Sequence, residues 1–271
     1  MAKTITCMLL GIAVSEGAIR SIDDPAADYV PELAGTEYGK TPLRALLHMS
    51  SGVAFSEVYD GADDNFRLGR MLLGGGVPPA KAVAMFNHRD VLPGTRFHYA
   101  SIETEVLGLV VSHAVHMTLA SYLESRIWRP MGAEADGSWA VDGTGQEVAY
   151  CCFSATLRDW ARFALVLAHD GAWNGRQIIP RQWLLDAISV QAPYLAPHAA
   201  TPYLGYGYQV WLLPGPRREF ALFGTHGQAI YVDSRSHLVL VQTAVRLKAA
   251  RDPAAMETGA LWDALVGRYG G

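Results

Sequence analysis

The sequence contains little cysteine: Cys7 and the neighbours Cys151 and Cys152 are the only three in 271 residues. Adjacent cysteines rarely form a disulfide, because the bridge strains the single peptide unit between them. We therefore expect free, mostly buried thiols, which are typical of a reducing compartment. This favours a cytoplasmic location, with export left open.

The sequence also lacks a strong excess of charge and a long apolar run. Lys and Arg number 22 against 26 Asp and Glu, the net charge is −4, and the basic residues do not cluster. We therefore expect no nucleic-acid partner. No apolar run reaches the roughly 18 residues of a membrane span. Ser15-Glu16-Gly17 follows the first apolar segment, where a signal peptide would have an A-x-A cleavage site. We expect no membrane partner.

Several motifs that announce a known chemistry are missing. The sequence has no G-x-S-x-G, H-E-x-x-H, P-loop or G-x-G-x-x-G pattern. His113 and His116 have a spacing that could chelate a metal, but no further ligand pattern supports them, so a solvated helix face is favoured. Asp60, Asp63 and Asp64 do not match an EF-hand loop, and a polar surface loop is favoured. The sequence predicts neither a metal nor another cofactor.

Helical patterns fill most of the chain. Residues 4–16 are apolar or small nearly all round a helix that would end at Gly17, and such a helix is usually buried. Thr41 is predicted to cap the next helix. Thr156 and Asp159 form a capping box at the start of a later one.

Strand patterns are confined to the last quarter, before a final helix. Four segments predict three or four strands: G-Y-G-Y-Q-V-W-L-L, E-F-A-L-F-G, Q-A-I-Y-V-D and L-V-L-V-Q-T-A-V. Helices followed by an antiparallel sheet and a terminal helix predict an α+β protein.

Four segments resemble, in order, the motifs of one enzyme superfamily. M-A-K-T-I-T-C-M-L-L is similar to an active-site helix that opens S-x-x-K, matched from the residue after the serine. L-R-A-L-L-H-M-S-S-G resembles the next helix and turn, and P-G-T-R-F-H-Y-A-S-I-E-T-E-V-L-G resembles the segment with a Y-x-N-type motif. G-T-H-G-Q-A-I-Y-V-D resembles the strand that replaces a K-T-G box. Over nearly its whole length the chain resembles serine β-lactamases and penicillin-binding proteins, most closely the branch of class C-type esterases and 6-aminohexanoate-dimer hydrolases.

The resemblance implies a β-lactamase/transpeptidase-like fold, an antiparallel sheet flanked by helices plus an all-helical lobe. It implies one domain over residues 1–271, with residues 18–195 as a mainly helical lobe. Residues 1–17 and 196–271 would form the lobe with the active-site helix and the sheet. The family's upstream strands have no counterpart here, so we expect a thin sheet with an unpaired edge and uncovered apolar surface.

The resemblance also implies the catalytic residues. Lys3 would be the general base for a serine one helical turn earlier, because residues three apart share a helix face. Burial would lower the pKa of its amine enough for that work. Tyr99, the tyrosine of the Y-x-N-type motif, would share the proton transfers and protonate the leaving group.

Five further residues are implied on the substrate side. Ser101 occupies the Asn place of the Y-x-N motif, and Tyr59 would contact the substrate. Thr225 would supply a backbone N–H to an oxyanion hole, in a segment with His226 and Gly227. Because Ser101 replaces the amide and K-T-G is absent, an ester or small amide substrate is favoured over a strict β-lactam.

The nucleophile itself is the main departure from the family pattern. No S-x-x-K occurs in the 271 residues, and we expect the serine directly before Met1, encoded in frame upstream. The chain as printed is thus expected to be an N-terminally truncated and catalytically incomplete serine hydrolase. A non-catalytic small-molecule-binding domain is the alternative from another class, and a β-lactamase or D-aminopeptidase is the alternative within the fold. A homodimer is left open.

Overall fold

The computed structural model describes residues 1–250 and 252–271, and its helices fill most of the chain before the main sheet. Short 3₁₀ turns lie at Ala26–Asp28, Pro31–Leu33, Pro193–Leu195 and Thr225–Gly227, and a π-helical turn lies at Glu124–Trp128. The α-helices are α1 (Ala2–Ser15), α2 (Leu43–Leu47), α3 (Asp64–Leu73), α4 (Pro79–Ala84), α5 (Ser101–Val115), α6 (Leu119–Leu123), α7 (Leu157–Ala168), α8 (Arg181–Ala187) and α9 (Ala255–Tyr269).

The strands form one five-stranded sheet and two small hairpins. The hairpins are β1 (Ser138–Trp139) with β2 (Phe153–Ser154) and β3 (Ala172–Trp173) with β4 (Arg176–Gln177). The sheet has the order β5-β6-β7-β8-β9 and is antiparallel throughout, which confirms the predicted α+β class. Its strands are β5 (Gly205–Tyr206), β6 (Trp211–Leu212), β7 (Glu219–Phe223), β8 (Ala229–Asp233) and β9 (Leu238–Gln242).

Helix α1 is the central helix of the core, as its apolar circumference predicts. Eleven of its residues are buried, and it packs against α5, α6 and α8. Gly11 allows the closest approach, because a Cβ at this position would overlap the indole ring of Trp183 in α8. The helix ends where expected, with Gly17 in the left-handed region at φ 77°.

The sheet is covered on both faces. Helix α7 packs on β8 and β9, and Thr156 is its N-cap as predicted: Thr156 Oγ1 accepts a hydrogen bond from the Asp159 N–H (3.1 Å). The reciprocal bond of a capping box is replaced, because Asp159 Oδ2 accepts the Thr156 hydroxyl (2.7 Å) rather than the Thr156 N–H. On the other face α9 places the buried Trp262 against Tyr231, with ring centroids 5.5 Å apart.

Two local predictions are wrong. Thr41 does not cap α2, which begins at Leu43 with Pro42 as its N-cap residue. The Thr41 hydroxyl instead donates to the Glu37 carbonyl oxygen (2.8 Å) and accepts from Arg89 (2.9 Å). The first predicted strand segment is divided into β5 and β6, because Gln209 between them has a left-handed backbone (φ 56°).

The prediction of unbridged neighbouring cysteines is also wrong. Cys151 and Cys152 form a disulfide, whereas Cys7 is a buried free thiol. The backbone of Cys152 lies in the left-handed region (φ 65°), which turns the two neighbouring side chains toward each other. This pair therefore gives no argument for a reducing compartment.

The end of the sheet carries exposed apolar side chains. Strand β9 pairs with β8 and with no other strand in the described residues, and Val245 and Leu247 just after it are 97% and 99% exposed. The division into two lobes stays a prediction, and α7 from the range 18–195 packs on the sheet. No single described helix is long and apolar enough to cross a membrane. Ser101–Val115 and Leu119–Trp128 meet that test only as a pair bent by 73°.

Candidate active site

Lys3 lies in the first turn of α1, and its side chain contacts Tyr99 and Tyr150. Its Nζ donates a hydrogen bond to the carbonyl oxygen of Tyr150 (3.1 Å). The same nitrogen lies 5.2 Å from the ring centroid of Tyr99 and 5.5 Å from that of Tyr150, within cation–π range. Burial lowers the pKa of Lys3 below its ordinary value of 10.5, and the negative charge of Glu57 partly opposes this effect. The amine is therefore easier to deprotonate than a solvated lysine.

Tyr99 is fixed by aromatic packing against the sheet. Its ring stacks on Trp211 (centroids 5.3 Å apart, 22° between planes) and meets Tyr206 edge-on at 6.1 Å. Burial raises the pKa of Tyr99 well above 10, and Tyr206 and Glu57 raise it further. Its phenol therefore stays protonated near neutral pH and can donate a proton or a hydrogen bond.

Ser101 and Tyr59 meet at one carboxylate, that of Glu57. Ser101 donates from its N–H (2.6 Å) and its Oγ (2.7 Å), and the Tyr59 hydroxyl donates at 2.7 Å. Tyr59 is 37% exposed and has a left-handed backbone (φ 62°), while its N–H is held by Asp63 (2.7 Å). Burial raises the pKa of Tyr59, and its neighbours Glu57 and Tyr99 raise it further. The structure thus places four of the predicted residues around the Glu57 carboxylate. Tyr59 and Ser101 donate hydrogen bonds to it, and it raises the pKa values of Lys3 and Tyr99.

The segment of Thr225, His226 and Gly227 forms an exposed 3₁₀ turn after β7. His226 has φ 60°, donates its N–H to the Ala249 carbonyl oxygen (3.0 Å), and its Nδ1 lies 2.8 Å from the Arg246 carbonyl oxygen. His226 thus connects this turn by hydrogen bonds to the segment that follows β9.

Strand β7 leads from the start of α1 to this turn. The Met1 nitrogen lies 3.2 Å from the carbonyl oxygen of Phe223, the last residue of β7 and two residues before Thr225. The Thr225 amide as an oxyanion donor stays a prediction.

The space beside Lys3 is small. A cavity of about 10 Å³, roughly the room for one water molecule, is bordered by Lys3, Tyr99, Tyr206 and Trp211 among others. A larger open cleft of about 470 Å³ lies at the other end of α1, around Glu16, and holds none of the predicted site residues. The chemistry of the side chains, rather than cavity size, identifies the site.

The acidic and histidine residues considered for metals have other contacts. In the described part of the chain, no group of three or more His, Cys, Asp or Glu residues is placed to hold a metal ion. Asp63 accepts the Phe66 N–H at the start of α3 (2.8 Å), and Asp60 accepts two N–H groups of its own loop. His113 is half-buried on α5, 4.0 Å from Glu32.

Sequence reasoning missed Glu57 and Tyr150. Glu57 stands two residues before Tyr59 in F-S-E-V-Y-D, a stretch with no periodic pattern, and only its pairing with Ser101 gives it meaning. Tyr150 contributes its carbonyl oxygen and its ring from the loop before the disulfide. A backbone carbonyl carries no residue-type signal, so no sequence pattern could have found it.

Known proteins share both the sequence pattern and the fold. The Beta-lactamase family model matches residues 1–261. The chain is 25% identical over 251 residues to 6-aminohexanoate-dimer hydrolase of Paenarthrobacter ureafaciens, a match that covers 89% of the chain and 64% of that curated relative's length.

Solved structures show the same fold at lower identity. The structure named "Putative 6-aminohexanoate-dimer hydrolase from Bacillus anthracis" has a TM-score of 0.86 at 24% identity, covering 98% of this chain and 71% of that one. A penicillin binding protein from Bacillus halodurans has a TM-score of 0.72 at 19% identity, covering 97% and 84%. The family match extends from α1 into α9 and includes Lys3 and Tyr99. The chain therefore belongs to the beta-lactamase family.

Proposed function

We propose that this protein is a serine hydrolase of small esters or amides that works through an acyl-enzyme. The observation that carries the proposal is Lys3: an amine on the first turn of a buried helix, with its pKa lowered by burial and a protonated tyrosine beside it. This is the environment that a lysine base needs. The beta-lactamase family match and the 6-aminohexanoate-dimer hydrolase relative support the same reaction class.

The proposed mechanism assigns one proton step to each group. Neutral Lys3 accepts the proton of a serine hydroxyl one helical turn earlier, the position directly before Met1, as that oxygen forms a bond to the substrate carbonyl carbon. The carbonyl oxygen becomes an oxyanion, held by backbone N–H groups among which Thr225 is our candidate. The tetrahedral intermediate expels the alcohol or amine, which takes a proton from Tyr99, and the Lys3 ammonium returns a proton to the Tyr99 phenolate. Water then attacks the acyl carbon and gives a proton to neutral Lys3. Lys3 passes this proton to the serine oxygen as the acid product leaves, which restores the serine hydroxyl and both side chains.

The substrate class follows from the same comparison. A relative named 6-aminohexanoate-dimer hydrolase favours linear amides, and Ser101 in place of an Asn favours esters or small amides over strict β-lactams. Turnover of nitrophenyl esters, a 6-aminohexanoate dimer, nitrocefin and D-Ala amides, measured side by side, ranks these candidates. Nitrocefin as the best substrate would contradict the preference.

A covalent probe tests the mechanism. The printed 271-residue chain and a version with a serine directly before Met1 are treated with a fluorophosphonate, and the adduct is located by mass spectrometry. We expect an adduct on the added serine only. Lys3→Met should slow its formation by at least about 100-fold, the usual scale of general-base catalysis. Lys81→Met, at an exposed lysine of α4, is the matched control and should label normally.

Two outcomes contradict the proposal. An extended chain that folds but forms no adduct would favour a non-catalytic small-molecule-binding domain. An adduct formed equally well in Lys3→Met would remove Lys3 from the mechanism.

A further inference from the structure

Glu57 makes three short hydrogen bonds at the centre of the candidate site. Its Oε2 accepts the Ser101 N–H (2.6 Å), and its Oε1 accepts both the Ser101 hydroxyl and the Tyr59 hydroxyl at 2.7 Å. All three donors belong to residues that the sequence places on the substrate side. The Glu57 carboxylate therefore fixes the orientation of both Ser101 and Tyr59.

The contact with Ser101 also places Glu57 at the N-terminus of α5. The N-cap residue of this 15-residue helix is Ala100, whose side chain cannot accept a hydrogen bond. Glu57, from a loop 44 residues earlier, takes the first N–H of the helix instead. Glu57 thus satisfies a backbone N–H at the helix N-terminus that would otherwise lack a side-chain acceptor.

That negative charge acts on Lys3. Burial disfavours the Lys3 ammonium, and Glu57 is the charged group that favours it. Besides Glu57, the titratable groups around Lys3 are the Met1 amine before α1, Tyr99 before α5, Tyr150 between β1 and β2, and Tyr206 in β5. Tyr59 bonds to Glu57, and Glu105 in α5 acts on Tyr150. Burial raises the pKa of Glu105 to about 8 and raises the pKa values of these tyrosines, so burial disfavours the negative form of each of these groups.

We propose that Glu57 is a positioning residue of this site, which orients Ser101 and Tyr59 and supplies the counter-charge of Lys3. Its importance for catalysis rests on the proposed function, but its effect on Lys3 does not. Glu57 opposes the effect of burial on the Lys3 pKa. Without Glu57 the Lys3 amine would lose its proton at a lower pH, and the hydroxyls of Ser101 and Tyr59 would lose their common acceptor.

The titration of Lys3 can be measured in the printed chain, without any nucleophile. The chain has four lysines, Lys3, Lys40, Lys81 and Lys248, so ¹³Cε-lysine NMR gives four resolvable signals, and Lys3→Met identifies the first. We expect Glu57→Gln to lower the Lys3 titration midpoint by about 1 pH unit, the lower end of what a nearby opposite charge does. The other three midpoints should not move.

Matched variants separate charge from structure. Glu32→Gln removes an equal charge from an exposed carboxylate 4.0 Å from His113 and should leave Lys3 unchanged. Ser101→Ala and Tyr59→Phe keep the Glu57 charge while deleting its partners, and should move the Lys3 midpoint by less than Glu57→Gln does.

The proposal has clear failures. A folded Glu57→Gln chain with an unchanged Lys3 midpoint would reduce Glu57 to a helix cap and overturn the proposal. If Glu57→Gln does not fold, Glu57→Ala decides: it also removes the carboxylate charge, so the Lys3 midpoint should fall, and no change refutes the counter-charge. A Lys3 shift in a protein whose serine-bearing version forms no acyl-enzyme would overturn the proposed function alone.

Discussion

Gln209 joins the elements that surround the candidate site, and its removal should destabilise the whole fold. Its side chain is buried, and its Nε2 donates to the carbonyl oxygens of Leu46 (3.0 Å) and Leu47 (3.2 Å) at the end of α2. Its Oε1 accepts the Thr104 hydroxyl of α5 (2.6 Å), and its backbone carbonyl oxygen accepts the Thr4 hydroxyl of α1 (2.8 Å). One residue thus connects three helices to the turn between β5 and β6.

The expected cost of Gln209→Ala follows from these contacts. Both α2 carbonyls keep a backbone partner, from the Met49 N–H to Leu46 and from the Gln209 N–H to Leu47, so each lost bond costs only about 0.5 kcal/mol. The buried Thr104 hydroxyl loses its acceptor, and bond loss with the orphaned group costs about 2 kcal/mol. We expect a total of about 3 kcal/mol, a large share of a typical folding free energy.

Urea unfolding followed by tryptophan fluorescence measures this loss, since the chain has seven tryptophans. Thr104→Val, which removes the hydroxyl at nearly constant shape, should cost about 1–2 kcal/mol. The double variant should cost about 1 kcal/mol less than the sum, because no orphaned hydroxyl remains. A loss below about 1 kcal/mol for Gln209→Ala, or strict additivity, would refute this account of the network.

Three further predictions concern charge, capping and cysteine. Burial would raise the pKa of Asp159, but hydrogen bonds from two backbone N–H groups, a hydroxyl and an arginine bring this pKa below 3.8. The stability that the ionised Asp159 adds is therefore present above pH 3.8 and is lost as the pH falls through the lowered pKa. In urea unfolding, Asp159→Asn should destabilise the protein at pH 7 and much less at pH 3, and an equal loss at both pH values would contradict this account. Thr156→Val should cost about 1 kcal/mol of unfolding free energy, and no measurable loss would show that this N-cap is not needed. Alkylation of the denatured chain should add one carbamidomethyl group by mass, on Cys7, and three after reduction; three without reduction would show that Cys151 and Cys152 are not bonded.

Periodic patterns predicted the elements whose burial is simple. Neighbouring elements cover α1, and its apolar circumference reflects this burial. The spacing of the apolar residues alone therefore predicted a buried helix over residues 4–16, and the structure has one over Ala2–Ser15. The Thr156 N-cap is equally local, since the Asp159 N–H and the Thr156 hydroxyl that accepts it lie three residues apart. The prediction that Thr41 caps α2 was wrong because the Thr41 hydroxyl bonds to the Glu37 carbonyl oxygen and to Arg89 instead. The contact with Arg89, 48 residues later, depends on tertiary structure.

The site was predictable only where a motif marks it. Lys3, Tyr99 and Ser101 lie in segments that resemble family motifs, and the structure gathers these three residues in one neighbourhood. Glu57 has no such motif, because its function comes from reaching a helix N-terminus 44 residues away. The bend at Gln209 was hidden for a similar reason: its left-handed backbone is stabilised by contacts with α1, α2 and α5 rather than by a glycine.

Burial acts in opposite directions on the two groups that the proposed mechanism pairs. It disfavours whichever form is charged, so it lowers the pKa of the Lys3 amine and raises that of the Tyr99 phenol. Each shift moves its group toward the neutral form at neutral pH, an amine that can accept a proton beside a phenol that can donate one. Glu57 opposes the first shift and reinforces the second. The same apolar packing that makes α1 a core helix therefore shifts both groups toward the protonation states that the proposed acyl transfer requires, and Glu57 limits the shift of the amine.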